Sequence, residues 1–193
     1  MGIQGYTSLM LLKTDIHHPH YEKLKSIEKH VQSGAELTKQ LLGFARSGRY
    51  EMKSLNINEL VGKTLQMYGR TRKEIMIHEQ LGQDLWDTEV DQGQIEQMLL
   101  NIYVNAWQAM PSGGHLYVET RNCELDEGYV KFHAAVPGKY VKVSITDTGL
   151  GMDDKTKERI FEPFFTTRDM GRGTGLGLAS VYGIVKGHNG IVN

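Results

Sequence analysis

Near Gly48 the hydrophobic rhythm of the chain changes. Upstream, Leu24, Ile27, Val31, Ala35, Thr38, Leu42 and Ala45 recur in steps of three and four, the seam of a helix packed at coiled-coil geometry. Downstream, short segments of period two are interleaved with separate helical stripes. The chain therefore reads as two unlike parts, residues 1–50 and 51–193. Glycine is distributed the same way: residues 1–48 hold five of the 22, whereas nine fall between Gly149 and Gly190.

The first part predicts one long helix from about Tyr21 to Ser47, ended by Gly48. Ile3, Tyr6, Leu9, Met10 and Lys13 suit the end of an earlier helix, with Thr14 to His20, around Pro19, as the connecting loop. Two such helices bury little area alone, so pairing with the hairpin of a second chain in a four-helix bundle is expected, packing onto the chain's own second part being the other solution.

The second part alternates. Met52 to Ile57 reads as a strand, and Asn58 can cap a helix carrying Leu60, Val61, Thr64, Leu65 and Tyr68. Ile75 to Leu81 and Leu85 to Val90 read as strands turning at Gly82. Asp91 to Met110 is a helix with Ile95, Met98, Leu99, Ile102, Ala106 and Ala109 on one face, halted by Pro111 and Gly113-Gly114. His115 to Asn122 and Tyr140 to Asp147 alternate as strands. A glycine-rich stretch, a helix from about Gly175 to Lys186 and a short strand at Ile191 close the sequence. The fold class expected is α+β, a helical hairpin followed by an α/β sandwich with helices on one sheet face.

Composition removes several function classes. With 39% hydrophobic residues the chain can build a packed core, and the lone Cys123 excludes a disulfide scaffold and fits a reducing compartment. The longest nearly apolar stretch, Gly175 to Val185, is far short of the roughly 18 to 20 residues a membrane span requires. No signal peptide opens the sequence. A net charge of −1 with dispersed basic residues argues against a nucleic-acid surface.

Three elements can carry chemistry. In the strand ending at Asp147 the apolar residues occupy odd positions, so Asp147 falls on the buried side just where Gly149 and Gly151 break the strand. A carboxylate there needs a donor, which an amine-bearing ligand could supply, unless it only organises an Asx turn. Asn101 and Asn105, four apart, share a helix face, either as a solvated face or with amide oxygens suited to Mg²⁺. Gly171-Arg172-Gly173-Thr174-Gly175-Leu176-Gly177-Leu178 runs into a helix, where closely spaced amides can hold a phosphate beside Arg168 and Arg172, or form a flexible loop. The cluster His17-His18-Pro19-His20 has no carboxylate or cysteine pattern to support a metal, and Cys123 has no recognisable base or resolving partner.

In this order the elements resemble the sensor histidine kinases of bacterial two-component signalling. Asn101-Ile-Tyr-Val-Asn105 to Pro111 is similar to the N box, Asp147-Thr-Gly149-Leu-Gly151-Met to the G1 box, Phe161-Glu-Pro-Phe164-Phe165-Thr166-Thr to the F box, and Gly173-Thr174-Gly175-Leu176-Gly177-Leu178 to the G2 box. The segment Leu37 to Arg46 extends the likeness to the second hairpin helix. The resemblance implies a histidine-kinase type ATPase sandwich binding ATP and Mg²⁺. Asp147 would accept from the adenine amino group, Asn105 would ligate the metal, and Asn101 would support the phosphate region. Phe161 to Gly173 would be a mobile lid bringing Phe165, Thr166, Arg168 and Arg172 toward the nucleotide, and the amides from Gly173 to Leu178 would surround the phosphates.

The resemblance also implies transfer of the γ-phosphoryl group to a histidine and onward to the receiver domain of a response regulator. In similar gyrase and chaperone ATPases, position 101 is a Glu acting as general base on water. Here it is an amide, which favours transfer over hydrolysis. The family's acceptor lies within a motif like H-D-F-N-N ahead of a segment resembling Gly2-Ile-Gln-Gly5-Tyr6, and none of His17, His18, His20 or His30 matches it. The expectation is a kinase core trimmed at both ends that binds ATP, dimerises and does not phosphorylate itself, in a cytoplasmic setting. A nucleotide-binding dimerisation module without transfer activity is the alternative.

Overall fold

The computed structural model describes residues 2–31, 34, 51–69, 72–131, 133, 135–168 and 173–193. Arg172, Gly171 and most of the helix expected up to Ser47 lie outside the described residues. The chain divides into two units, 1–47 and 48–193.

In the first unit, α1 (Ile3–Lys13) and the helix α2 over residues 21–31 are joined by a turn through Pro19. The Ser8 hydroxyl donates to Glu28 Oε1 at 2.5 Å, so the two helices lie side by side. Much of their apolar surface stays open to solvent, Ile3, Tyr6, Met10 and Leu12 among it.

The second unit contains β1 (Met52–Leu55), α3 (Ile57–Gly69), β2 (Ile75–Leu81), β3 (Thr88–Asp91), α4 (Gln92–Ala109), β4 (Gly114–Leu125), α5 (Glu127–Val130), β5 (Gly138–Asp147), α6 (Asp154–Arg159) and α7 (Gly177–Gly187). A three-stranded sheet has the order β2-β4-β5, with β2 parallel and β5 antiparallel to β4, and β1 pairs with β3 as a separate antiparallel ribbon. The segments on either side of Gly82 are thus not hairpin partners. Parallel pairing of β2 with β4 requires a crossover, and the chain between them, β3 and α4, supplies it.

Local chemistry explains the elements. Asp91 caps α4 through its side chain, which accepts from the Gln94 amide at 3.0 Å. The expected cap Asn58 sits one residue inside α3: Asn56 accepts from the Asn58 amide (2.9 Å), while the Asn58 side chain donates to the Gly82 carbonyl and accepts from the Thr120 hydroxyl. Asn58 therefore ties α3 to β4 instead of starting the helix. No strand forms at Ile191, and the short helices α5 and α6 are capped by Asp126 and Asp153.

On β4, Leu116, Val118 and Thr120 are buried while Tyr117, Glu119 and Arg121 are exposed, so the sheet has one covered face. The core joins Leu60, Val61 and Leu65 of α3, Leu99 and Tyr103 of α4, Leu116 and Val118 of β4, and Val181 and Ile184 of α7. The Tyr68 hydroxyl donates to the Tyr103 carbonyl at 2.8 Å, locking α3 to α4.

Candidate functional site

Helix α4 is the spine of the candidate site. Asn101, Asn105 and Gln108 follow one another at i, i+4 and i+7 and therefore share a helix face. Asn105 Nδ2 donates to the Asn101 carbonyl at 2.9 Å, which leaves its Oδ1 as an oxygen acceptor. The first residue of α7 meets this stripe: a Cβ on Gly177 would stand 3.2 Å from Asn105 Nδ2. Leu176 caps α7 without a side-chain hydrogen bond to its leading amides. Leu176 is buried and Leu178 packs against the core, so these two anchor the helix and only their backbone faces the site.

The end of β5 meets the same helix one residue beyond Gln108. The Leu150 amide donates to the Ala109 carbonyl at 3.0 Å, and a Cβ on Gly149 would fall 2.6 Å from that oxygen. Only glycine permits this approach. The strand register sets Asp147 opposite Leu116 on the covered face, as the alternation predicts, but Asp147 is exposed, which corrects the expectation of a buried carboxylate. At the strand's end its Oδ1 accepts from the Gly149 amide at 2.8 Å. The Asx turn is therefore formed, and it holds the carboxylate at the rim. Nothing lies within 4 Å of a Cβ on Gly151, so that glycine serves the turn and no contact.

The segment linking α6 to α7 closes on itself. The Phe164 amide donates to the Gly175 carbonyl at 2.9 Å, and both residues have positive φ, +68° and +65°. For Phe164, 61% exposed, this is an unusual backbone state that the clasp imposes. Inside the segment Thr166 Oγ1 accepts from the Arg168 amide at 3.2 Å, and a Cβ on Gly173 would lie 3.0 Å from that oxygen. Thr174 Oγ1 accepts from the Leu176 amide at 3.4 Å. The Arg168 guanidinium donates to Gln108 Oε1, and partial burial lowers its pKa without endangering its charge. Phe165 is turned toward α6, with the Arg159 guanidinium 4.3 Å from its ring centroid.

The structure thus brings Asn105, Asp147, Gly149, Arg168 and Gly177 to one side of α4, with Asn101 one turn earlier on the same stripe. Two participants escape the sequence reading. Gln108 holds Arg168, and Ala109 receives the turn after β5. The spacing of Gln108 from Asn101 was the available signal. Thr148, too, is structural here: its Oγ1 accepts from the His115 amide (3.0 Å) and its own amide donates to the His115 carbonyl (3.1 Å).

Residues 90–193, from the end of β3 through α7, match the family described as histidine kinase-, DNA gyrase B-, and HSP90-like ATPase. The sensor kinase CckA of Brucella abortus is 35% identical over 188 residues, covering 96% of this chain and 20% of the relative. The signal transduction histidine-protein kinase AtoS of Escherichia coli K12 is 33% identical, covering 98% of this chain and 29% of the relative. The chain therefore spans less than a third of either relative. Among solved structures, the mycobacterial sensor histidine kinase MprB superposes with a TM-score of 0.56 at 26% identity, covering 71% of this chain and 80% of that one. With the matched region holding α4, the end of β5 and the start of α7 together, this chain belongs to the histidine kinase-, DNA gyrase B- and HSP90-like ATPase family, as a catalytic domain of the sensor histidine kinase type.

Proposed function

We propose that residues 51–193 bind Mg-ATP along the exposed stripe of α4 and pass its γ-phosphoryl group to a protein histidine, for relay to the receiver domain of a response regulator. The observation that carries this reading is that the turn after β5 at Asp147-Gly149, Arg168 and the start of α7 at Gly177 all meet the side of α4 that carries Asn105. The residues fit such a ligand. An exposed carboxylate at the rim, an amide oxygen on α4, an arginine on Gln108 and the uncapped amides of an eleven-residue helix are the donor set for an amine, a hard cation and an anion.

In this reading Asp147 accepts from the adenine amino group, with Gly149 fixing its orientation. Asn105 Oδ1 is the protein ligand of Mg²⁺, which when bound neutralises charge on the phosphate oxygens. The leading amides of α7 hold the phosphate chain, and Arg168, with Arg172 from the same segment, adds positive charge. Asn101 supports the phosphate region and, as an amide, takes no proton from water, so the site favours transfer over hydrolysis. Phosphoryl transfer asks mainly for positioning and charge neutralisation, which these groups provide.

Residues 1–50 serve in this proposal as the dimerisation hairpin. Tyr6, Leu9, Met10, Leu24 and Ile27 border an apolar groove of about 580 Å³ between α1 and α2, which a second copy would fill in a four-helix bundle. No histidine of this sequence stands in an acceptor motif, so the phosphoryl group is received by a histidine outside it.

Titration with a fluorescent ATP analogue tests the site. The wild-type chain is expected to bind, and Asp147→Asn to weaken binding about tenfold, the loss of one charge-assisted hydrogen bond, while the melting temperature holds because Asp147 is exposed. Absence of binding, or equal affinity in the variant, refutes the assignment. Transfer is tested by mixing the chain with a longer, acceptor-bearing relative whose own nucleotide site is disabled: acid-labile label on the partner supports a kinase, and silence supports a nucleotide-binding module.

A further inference from the structure

The face of the sheet turned away from α4 carries a cluster of imidazoles that the nucleotide reading does not use. His78 lies on β2, and His115 and Tyr117 on β4, where they alternate with the buried Leu116 and Val118. His78 Nε2 stands 2.9 Å from His115 Nδ1. The Tyr117 ring stacks on His78 with centroids 4.6 Å apart and planes 13° from parallel, which holds that imidazole in place. Met76, 60% exposed, is opposite His115 in the register of β2 and β4, its thioether on the same face. The backbone of His115 is hydrogen-bonded at both its amide and its carbonyl to Thr148, so this ligand comes from rigid strand.

We propose that His78 and His115 form a two-imidazole site for a divalent transition metal of the Cu²⁺ type. Among the described residues no group of three or more His, Cys, Asp or Glu could hold an ion, so water and the Met76 thioether complete the coordination. The nitrogen spacing selects the geometry. With metal–nitrogen bonds of about 2.0–2.1 Å, nitrogens 2.9 Å apart subtend an angle of about 90° at the metal, the cis angle of a tetragonal site. A tetrahedral zinc site would ask for a separation of about 3.3 Å. Imidazole nitrogen suits Cu²⁺, which stands highest in affinity among the divalent ions of the first transition row, and a thioether serves it as a weak axial ligand. In the metal-free chain one ring proton lies between the two nitrogens. Binding moves that proton to the other nitrogen of the ring that carried it, and both lone pairs turn to the metal.

The test is a calorimetric titration of Cu²⁺ into the full chain, with electron paramagnetic resonance on the loaded protein. To keep adventitious binding at His17, His18 and His20 out of the titration, all three are replaced by Gln in the background used. The expected result is one equivalent bound, a tetragonal signal with coupling to two nitrogens, weaker binding of Zn²⁺, and affinity lowered about tenfold or more by either His78→Gln or His115→Gln. Both positions are on the uncovered face, so thermal melts should show the variants folded. No copper binding in the background chain, affinity unchanged from that background in either variant, or tighter Zn²⁺ than Cu²⁺ binding overturns the proposal.

Discussion

Replacing Gly175 by alanine separates backbone strain from steric contact when it is compared with the same change at Gly151. The two glycines have nearly equal φ, +65° and +69°. A left-handed alanine costs about 1–2 kcal/mol at either position. Their surroundings differ. A Cβ on Gly151 meets nothing within 4 Å, whereas one on Gly175 would stand 2.4 Å from the Phe164 carbonyl carbon and 2.6 Å from its oxygen. These are backbone atoms and cannot swing aside. Relief requires the strands of the clasp to part, which gives up the Phe164 N–H to Gly175 carbonyl bond of 2.9 Å, worth about 0.5–1.5 kcal/mol net. Gly151→Ala should therefore lose about 1–2 kcal/mol and Gly175→Ala about 1.5–3.5 kcal/mol in urea unfolding. Hydrogen exchange supplies the local readout: the Phe164 amide should lose protection in Gly175→Ala and keep it in Gly151→Ala. Equal destabilisation of the two variants, or an unchanged Phe164 amide in Gly175→Ala, would show that the contact does not hold the segment.

Two further predictions concern the core. Leu99, fully buried between α3, the sheet and α7, should cost about 2–5 kcal/mol when cut to alanine; a loss below that range in chemical denaturation would mean the core collapses around the cavity. Burial pushes the phenols of Tyr68 and Tyr103 up to about 12 from an ordinary 10, so the folded chain retains protons that the unfolded chain releases. Their neutral forms contribute stability that is complete below pH 10 and is lost as the pH rises toward 12. Tyr103→Phe should flatten that alkaline decline in a series of denaturation curves, and an unaltered decline would remove Tyr103 from its cause.

The elements that rest on short-range chemistry were legible in the residues. The apolar stripe of α4 is built from steps of three and four, and its start and stop follow from the Asp91 cap and Pro111, both local effects. The strands β2, β4 and β5 follow from alternation. The Asn58 cap was misread because Asn56, two residues earlier, offers the same chemistry, and Asn58 finds its partners on Gly82 and Thr120, far along the chain. Asp147 was assigned the right face and the wrong exposure. Alternation reports which way a side chain points, but whether anything covers the end of a strand depends on where the helices stop.

The periodicities, the change of rhythm near Gly48 and the four motifs can be read along the chain, because each depends on residues within a turn or a strand of one another. That β2 runs parallel to β4 while β3 leaves to pair with β1 comes from packing, since strand partnership depends on crossovers and shared burial, not on local pattern. The same non-local packing set Gly149 on Ala109, Arg168 on Gln108, Gly177 on Asn105, and His78 against His115 across 37 positions of sequence.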